Sequence, residues 1–241
     1  MEWSYGLARV LAYPLRLAFR IPQQGFGHVP RQGPVILAAN HVSFLDPVMI
    51  LWLGERTHRK IRFLAMAELW QSRLLHFFLV HTKQIPVARE ISLAGGSLAN
   101  AARALRDGEC VCIFPEGGIS ADLEPMPAKT GVARLAASSG VPVTPVGTWG
   151  GHRLYTKGRP RRLRPGVAIT VVAGPPVVVT ATDDVFEATD RIMAAVADCV
   201  ATARRIYPQQ PRRTEDPWWV RAPDTAVARP TSRERPGGRW S

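Results

Sequence analysis

The chain has 241 residues, 46% of them hydrophobic, enough for one domain with a substantial core. Its formal charge of +12 and pI near 10.7 favour nucleic acid, an anionic membrane or an acidic small molecule as partners. Cys110, Cys112 and Cys199 build no disulfide framework and no Cys/His set has zinc spacing, which points to a reducing compartment and no bound metal.

Residues 1–24 are expected to form an amphipathic helix. Trp3, Leu7, Val10, Leu11, Leu15 and Phe19 recur at helical spacing, with Arg9, Arg16 and Arg20 elsewhere. Such a helix lies in a membrane interface or packs on the domain. No apolar run reaches the ~18 residues of a membrane span.

From residue 25 to 207, short apolar runs alternate with amphipathic stretches. Strands are expected at Val35–Asn40, Ile61–Met66, Gln84–Ala88, Cys110–Phe114, Val141–Gly147 and Val167–Ala173. Helices are expected at Pro47–Gly54, Glu68–Val80, Leu93–Asp107, Gly131–Ser139 and Asp183–Tyr207. This rhythm predicts an α/β domain with a mostly parallel central sheet flanked by helices. Asp184, with Glu187 three residues later, is the expected cap of the last helix. Residues 208–241 are rich in Pro and Arg and poor in aliphatic side chains, so they read as a disordered tail. Trp218 and Trp219 read there as incidental aromatics or as a membrane contact.

The stretch Asn40–Pro47, NHVSFLDP, sets His41 and Asp46 five positions apart. On one helix that is a net rotation of ~140°, so the two side chains share no face. They meet only if a turn intervenes. Pro47 disfavours helix at Asp46 and suits a first helical position, which makes Asp46 the expected N-cap. His41 then sits at the carboxyl end of a strand, where open α/β sheets place ligands. Asp46 in this position is either a cap alone or the partner that orients the imidazole for proton transfer. Ser43 lacks the G-x-S-x-G elbow of a nucleophile, so the hydroxyl to be activated belongs to a substrate. A second signal is Cys110–Ser120, CVCIFPEGGIS, in which a buried strand ends in a tight turn. Its Pro115-Glu116-Gly117-Gly118 sequence exposes backbone amides.

Together these motifs resemble the glycerolipid acyltransferase family, whose bacterial members make phosphatidate from 1-acylglycerol-3-phosphate. The first block is matched by Asn40, His41, Ser43 and Asp46. The second is matched by QIPVAR ending in Arg89. The third is matched by Phe114-Pro115-Glu116-Gly117 and Ser120, and the fourth by Val141–Val146. The resemblance spans roughly residues 25 to 180. It implies that His41 is the general base and Asp46 its support. It assigns Arg89 to the acceptor phosphate, and Glu116 and Gly117 to acceptor binding. The donor is an acyl-CoA or an acyl-acyl carrier protein, the acceptor a lysophospholipid, and no cofactor is needed. The third block departs from the family: Gly118 and Ile119 stand where Thr and Arg are usual, which leaves the acceptor open. Lys129, just before a helix expected from Gly131, is a candidate anion ligand in compensation.

The segment from Pro125 to Thr182 contains no Asp or Glu and eight cations. It suits an anionic membrane surface, coenzyme A phosphates or an acidic carrier protein. The expected location is the cytoplasmic face of the cell membrane. Nucleic-acid binding is the competing class, but no nucleic-acid-binding motif accompanies the charge. A non-catalytic lipid-binding relative is the third reading.

Overall fold

The computed structural model describes Phe19 and residues 21–87, 96–213 and 216–220. Arg89 and most of the expected amino-terminal helix, residues 1–18 and 20, lie outside the described residues; the end of that expected helix is corrected, because Gln23 and Gln24 pair with Val171 and Val172 as a strand.

Seven strands form one sheet: β1 (Gln23–Gln24), β2 (Val35–Ala39), β3 (Ile61–Met66), β4 (Ile85–Val87), β5 (Cys110–Ile113), β6 (Val143–Trp149) and β7 (Thr170–Ala173). Their spatial order is β1-β7-β6-β2-β5-β3-β4. All neighbours are parallel except β6 and β7, which run antiparallel. The expected α/β class and mostly parallel sheet are observed. The helices are α1 (Asp46–Thr57), α2 (Arg73–His81), α3 (Gly96–Arg106), α4 (Gly131–Ser139) and α5 (Val185–Arg205).

Strands β2 and β5 are apolar throughout because both faces are covered. In β2, Ile36 and Ala38 face one core, and Val35, Leu37 and Ala39 face the other. In β5, Val111 and Ile113 join the first, Cys110 and Cys112 the second. Helices α3, α4 and α5 cover the first face through Leu105, Val132, Leu135, Ile192 and Val196. Helix α1 covers the second through Met49, Ile50 and Leu53. Each such aliphatic side chain, fully buried, contributes about 1.5–3 kcal/mol.

Several boundaries moved. The fourth-block strand begins at Val143, not Val141, because Pro142 has no N–H for a ladder. The helix expected over Glu68–Val80 is a short 3-10 turn, Ala67–Gln71, then α2, with an extended Ser72 between them. Asp184 caps α5 as expected, accepting from the Phe186 and Glu187 amides.

The start of the expected tail packs on the domain. Trp219 is 1% exposed. Its ring lies under the Arg153 guanidinium at 3.7 Å, and its carbonyl accepts from His152 Nε2 at 3.2 Å. Burial pushes the His152 pKa down to about 3, so this imidazole is neutral. Large aromatics carry enough apolar area to dock an otherwise polar segment, which composition averaged over the tail conceals.

Candidate active site

Parallel neighbours bring the carboxyl ends of β2, β5 and β6 to one edge at the middle of the sheet. His41 follows β2, Glu116 follows β5, and Thr148 lies at the end of β6. The site is built from these three chain segments.

His41 Nδ1 is 2.9 Å from Asp46 Oδ2. The same oxygen accepts from the Val42 and Ser43 amides, each at 2.8 Å. Asp46 Oδ1 accepts from Thr148 Oγ1 at 3.0 Å. Asp46 is fully buried, and all of these contacts are donors to it. It is therefore not the N-cap that Pro47 suggests. Leu45 occupies that position without a side-chain cap, and Asp46 is the first helical residue. Its carboxylate points back into the turn and gathers His41, Val42 and Ser43 around one oxygen. A carboxylate ringed by four donors is placed to accept from Nδ1 and to stabilise an imidazolium.

Since a carboxylate accepts, Nδ1 carries the hydrogen and Nε2 is the basic nitrogen. The His41 side chain is 17% exposed, and Nε2 has no hydrogen-bond partner among the described residues. The ring stacks on Phe114, with centroids 4.3 Å apart. The turn carries the open nitrogen at the carboxyl edge, as expected for a ligand site.

Among the described residues, no side-chain hydroxyl is hydrogen-bonded to His41. Ser43 Oγ is buried, donating to the Tyr155 carbonyl at 2.8 Å and accepting from the Leu45 amide at 3.0 Å. The Cys112 thiol is fully buried, and burial raises its pKa well above the usual thiol value. Among the described residues no group of three or more His, Cys, Asp or Glu gathers as a metal site.

Glu116 takes a different place from the one the third block suggests. It is 1% exposed. Its Oε1 accepts from the His41 amide at 2.8 Å and its Oε2 from the Met126 amide at 2.9 Å. Burial pushes its pKa up to about 8, opposed by those two amide bonds. Both oxygens are spent on backbone, so Glu116 ties the third block to the first and positions His41. The Ser120 amide adds a second tie, donating to the His41 carbonyl at 2.8 Å. Gly117 lies at φ +68°, a left-handed conformation that glycine adopts without cost. Lys129 packs beside it: a side chain at 117 would come within 3.1 Å of the Lys129 Cε. Lys129 also precedes α4, and its amide donates to the Pro115 carbonyl at 2.9 Å. The structure thus packs Lys129 against the turn that holds Gly117.

The residues after the fourth block complete the site, and their role was missed in the sequence. Thr148 holds Asp46 and donates its amide to Asn40 Oδ1 at 2.7 Å. Thr156 Oγ1 donates to the Val42 carbonyl at 2.7 Å. Gly151 lies so close to α1 that a side chain there would meet Met49 Cε at 1.9 Å. The available signal was polarity: Thr144 and Thr148 interrupt an otherwise apolar buried strand, and buried polar groups need partners.

A family model described as Acyltransferase matches residues 20–149. The chain is 30% identical over 144 residues to a 1-acyl-sn-glycerol-3-phosphate acyltransferase of Chlamydomonas reinhardtii, covering 59% of this chain and 42% of that protein. It is 29% identical over 135 residues to the 1-acyl-sn-glycerol-3-phosphate acyltransferase of Bacillus subtilis, covering 55% and 65%. It is 30% identical over 122 residues to the lyso-ornithine lipid O-acyltransferase of Rhizobium meliloti, covering 50% and 40%. The matches thus span less than two thirds of each of these relatives. The crystal structure of the 1-acyl-sn-glycerophosphate acyltransferase of Thermotoga maritima shares the fold, with a TM-score of 0.68 at 22% identity over 86% of this chain and 81% of that one.

Proposed function

This chain belongs to the acyltransferase family, and from that premise we propose that it transfers an acyl group from a thioester to the free hydroxyl of a lysophospholipid. The acceptor we favour is 1-acylglycerol-3-phosphate, giving phosphatidate, with acyl-CoA or acyl-acyl carrier protein as donor. One observation carries the reading: His41 presents an open Nε2 while a buried Asp46 holds its Nδ1, and Ser43 Oγ is committed to Tyr155.

In the reaction, His41 Nε2 takes the proton of the acceptor hydroxyl as its oxygen attacks the thioester carbonyl. A C–O bond forms and a tetrahedral oxyanion develops. The C–S bond then breaks, and the departing thiolate recovers the proton from the imidazolium. Asp46 stabilises the imidazolium between these steps. Glu116 acts through the His41 backbone rather than on substrate. Lys129 and Gly117 support acceptor binding from the neighbouring turn.

A second reading is favoured by Ile119, which leaves the third-block turn without an arginine of its own: an acceptor whose head group is not a phosphate, as in the lyso-ornithine lipid named for the Rhizobium relative. The test is transfer from a radiolabelled acyl thioester to a panel containing lysophosphatidate, lyso-ornithine lipid and other lysolipids. Labelled product that requires His41 supports the reading; no product with any acceptor overturns it.

A lipid acceptor implies work at a membrane surface. No described helix is long and apolar enough to cross a bilayer. The acid-free basic region suits peripheral attachment to anionic lipid on the cytoplasmic face, at about 1 kcal/mol per basic residue near the surface. Co-sedimentation with anionic vesicles that weakens at high salt supports this attachment.

A further inference from the structure

A cleft of about 280 Å³ opens beside the catalytic turn. Asp122 and Leu123 form one wall, Thr156, Lys157 and Arg159 the other, and Trp218 closes it. Both walls are hydrogen-bonded to the residues that hold the histidine. The Ser120 amide donates to the His41 carbonyl, and Thr156 Oγ1 donates to the Val42 carbonyl. The cleft thus begins at Ala121, one residue beyond the first tie, and at Thr156, which makes the second.

Its charges are arranged for an anion. Lys157 is exposed and its ammonium has no partner among the described residues. Arg159 stacks on Trp218 at 4.0 Å, and its ion pair with Asp216 is loose at 4.0 Å. Stacking fixes the guanidinium plane and leaves its in-plane N–H groups available. Trp218 is itself held, because the neighbouring Trp219 is buried under Arg153. The carboxylate in the cleft, Asp122, accepts through Oδ1 from Ser120 Oγ and the Glu124 amide, bonds that shape its own turn. Arg161, Arg162 and Arg164 follow on exposed chain, and no acid lies between Pro125 and Thr182. The third-block segment itself carries no cation from Phe114 to Ser120, and Lys129 packs beside its Gly117.

We propose that this cleft is the subsite for a phosphate monoester of one of the two substrates, bound by Lys157 and Arg159. The assignment rests on the acyl-transfer reading, under which such a phosphate comes from the acceptor head group or from the phosphoadenosine end of a coenzyme A donor.

The test has a binding arm and a kinetic arm. In the first, calorimetry titrates glycerol 3-phosphate and adenosine 3′,5′-bisphosphate into the full chain and into Lys157→Ala and Lys157→Arg. Binding of one probe that weakens about tenfold or more in Lys157→Ala and is retained in Lys157→Arg supports the subsite. The probe that binds names the source of the phosphate. This arm needs no turnover, so it stands even if the acylation assay fails. In the second arm, Lys157→Ala raises the KM of the phosphate-bearing substrate about tenfold. The effect vanishes when that substrate is replaced by monoacylglycerol or by an acyl pantetheine. If the wild-type chain binds neither probe, or Lys157→Ala binds them unchanged, the subsite is wrong, and continued turnover would leave the acyl-transfer reading standing. An equal KM increase with the phosphate-free analogue likewise overturns it.

Discussion

Asp46→Asn separates the charge of Asp46 from its architecture. The amide can keep almost every contact. Three donors converge on the Oδ2 position: the Val42 and Ser43 amides at 2.8 Å and His41 Nδ1 at 2.9 Å. An NH₂ group placed there would face all three, so the amide oxygen takes that position. The NH₂ group then faces Thr148 Oγ1, which turns from donor to acceptor and can donate to Asn40 Oδ1, 3.3 Å away. The imidazole therefore keeps its tautomer and orientation. What is lost is charge. A hydrogen bond to a charged group contributes about 1.5–3 kcal/mol, and a neutral one about 1. The difference, about 0.5–2 kcal/mol, acts on the transition state that carries the imidazolium and lowers kcat about two- to thirtyfold. Stability should change by no more than about 2 kcal/mol, a melting shift of a few degrees. Asp46→Ala, by contrast, strands three buried donors at about 1–3 kcal/mol each and should fail to fold stably. The assay is thiol release from an acyl thioester in the presence of lysophosphatidate, beside a thermal melt. A kcat within twofold of wild type would remove Asp46 from the chemistry. A loss beyond about 10³-fold at unchanged melting temperature would show that the imidazole had lost its tautomer, refuting the orientation argument.

His41→Ala should lower turnover about 10²–10⁴-fold while the protein stays folded, measured by the same assay with circular dichroism as control. Glu116 predicts a pH dependence of stability. Its carboxyl pKa is raised from 4.5 to about 8 on folding, so its contribution is complete below pH 4.5 and is lost as pH rises towards 8. The melting temperature of wild type should therefore fall more steeply over that range than that of Glu116→Gln; parallel curves would refute the raised pKa. Trp219→Ala empties a buried site under Arg153 and should cost about 3–5 kcal/mol in denaturant unfolding, with Trp219→Phe recovering part of it.

The local features of the chain were legible because their causes are local. Apolar runs and helical spacing located most of the elements, and Asp184 capped its helix as its sequence neighbours required. The spacing of His41 and Asp46, with Pro47 behind them, required a turn that brings the two together, and the structure has one. Which donors that turn offers to which oxygen was not legible. Asp46 looks like a cap to its neighbours, but Thr148, 102 positions away, and the amides behind it draw its carboxylate back. Glu116 reads as a binding residue in a turn until the sheet places His41 next to it, 75 positions away. Such contacts arise because β2 pairs with both β5 and β6, and strand order follows from packing the whole sheet rather than from any one segment. Trp219 shows the same limit. A polar tail gives no sign of docking until the sheet and the 3-10 turn Gly151–Arg153 form the surface that buries one ring. Local propensity sets which elements form. The closure of distant segments around a common core decides which of their side chains become a site.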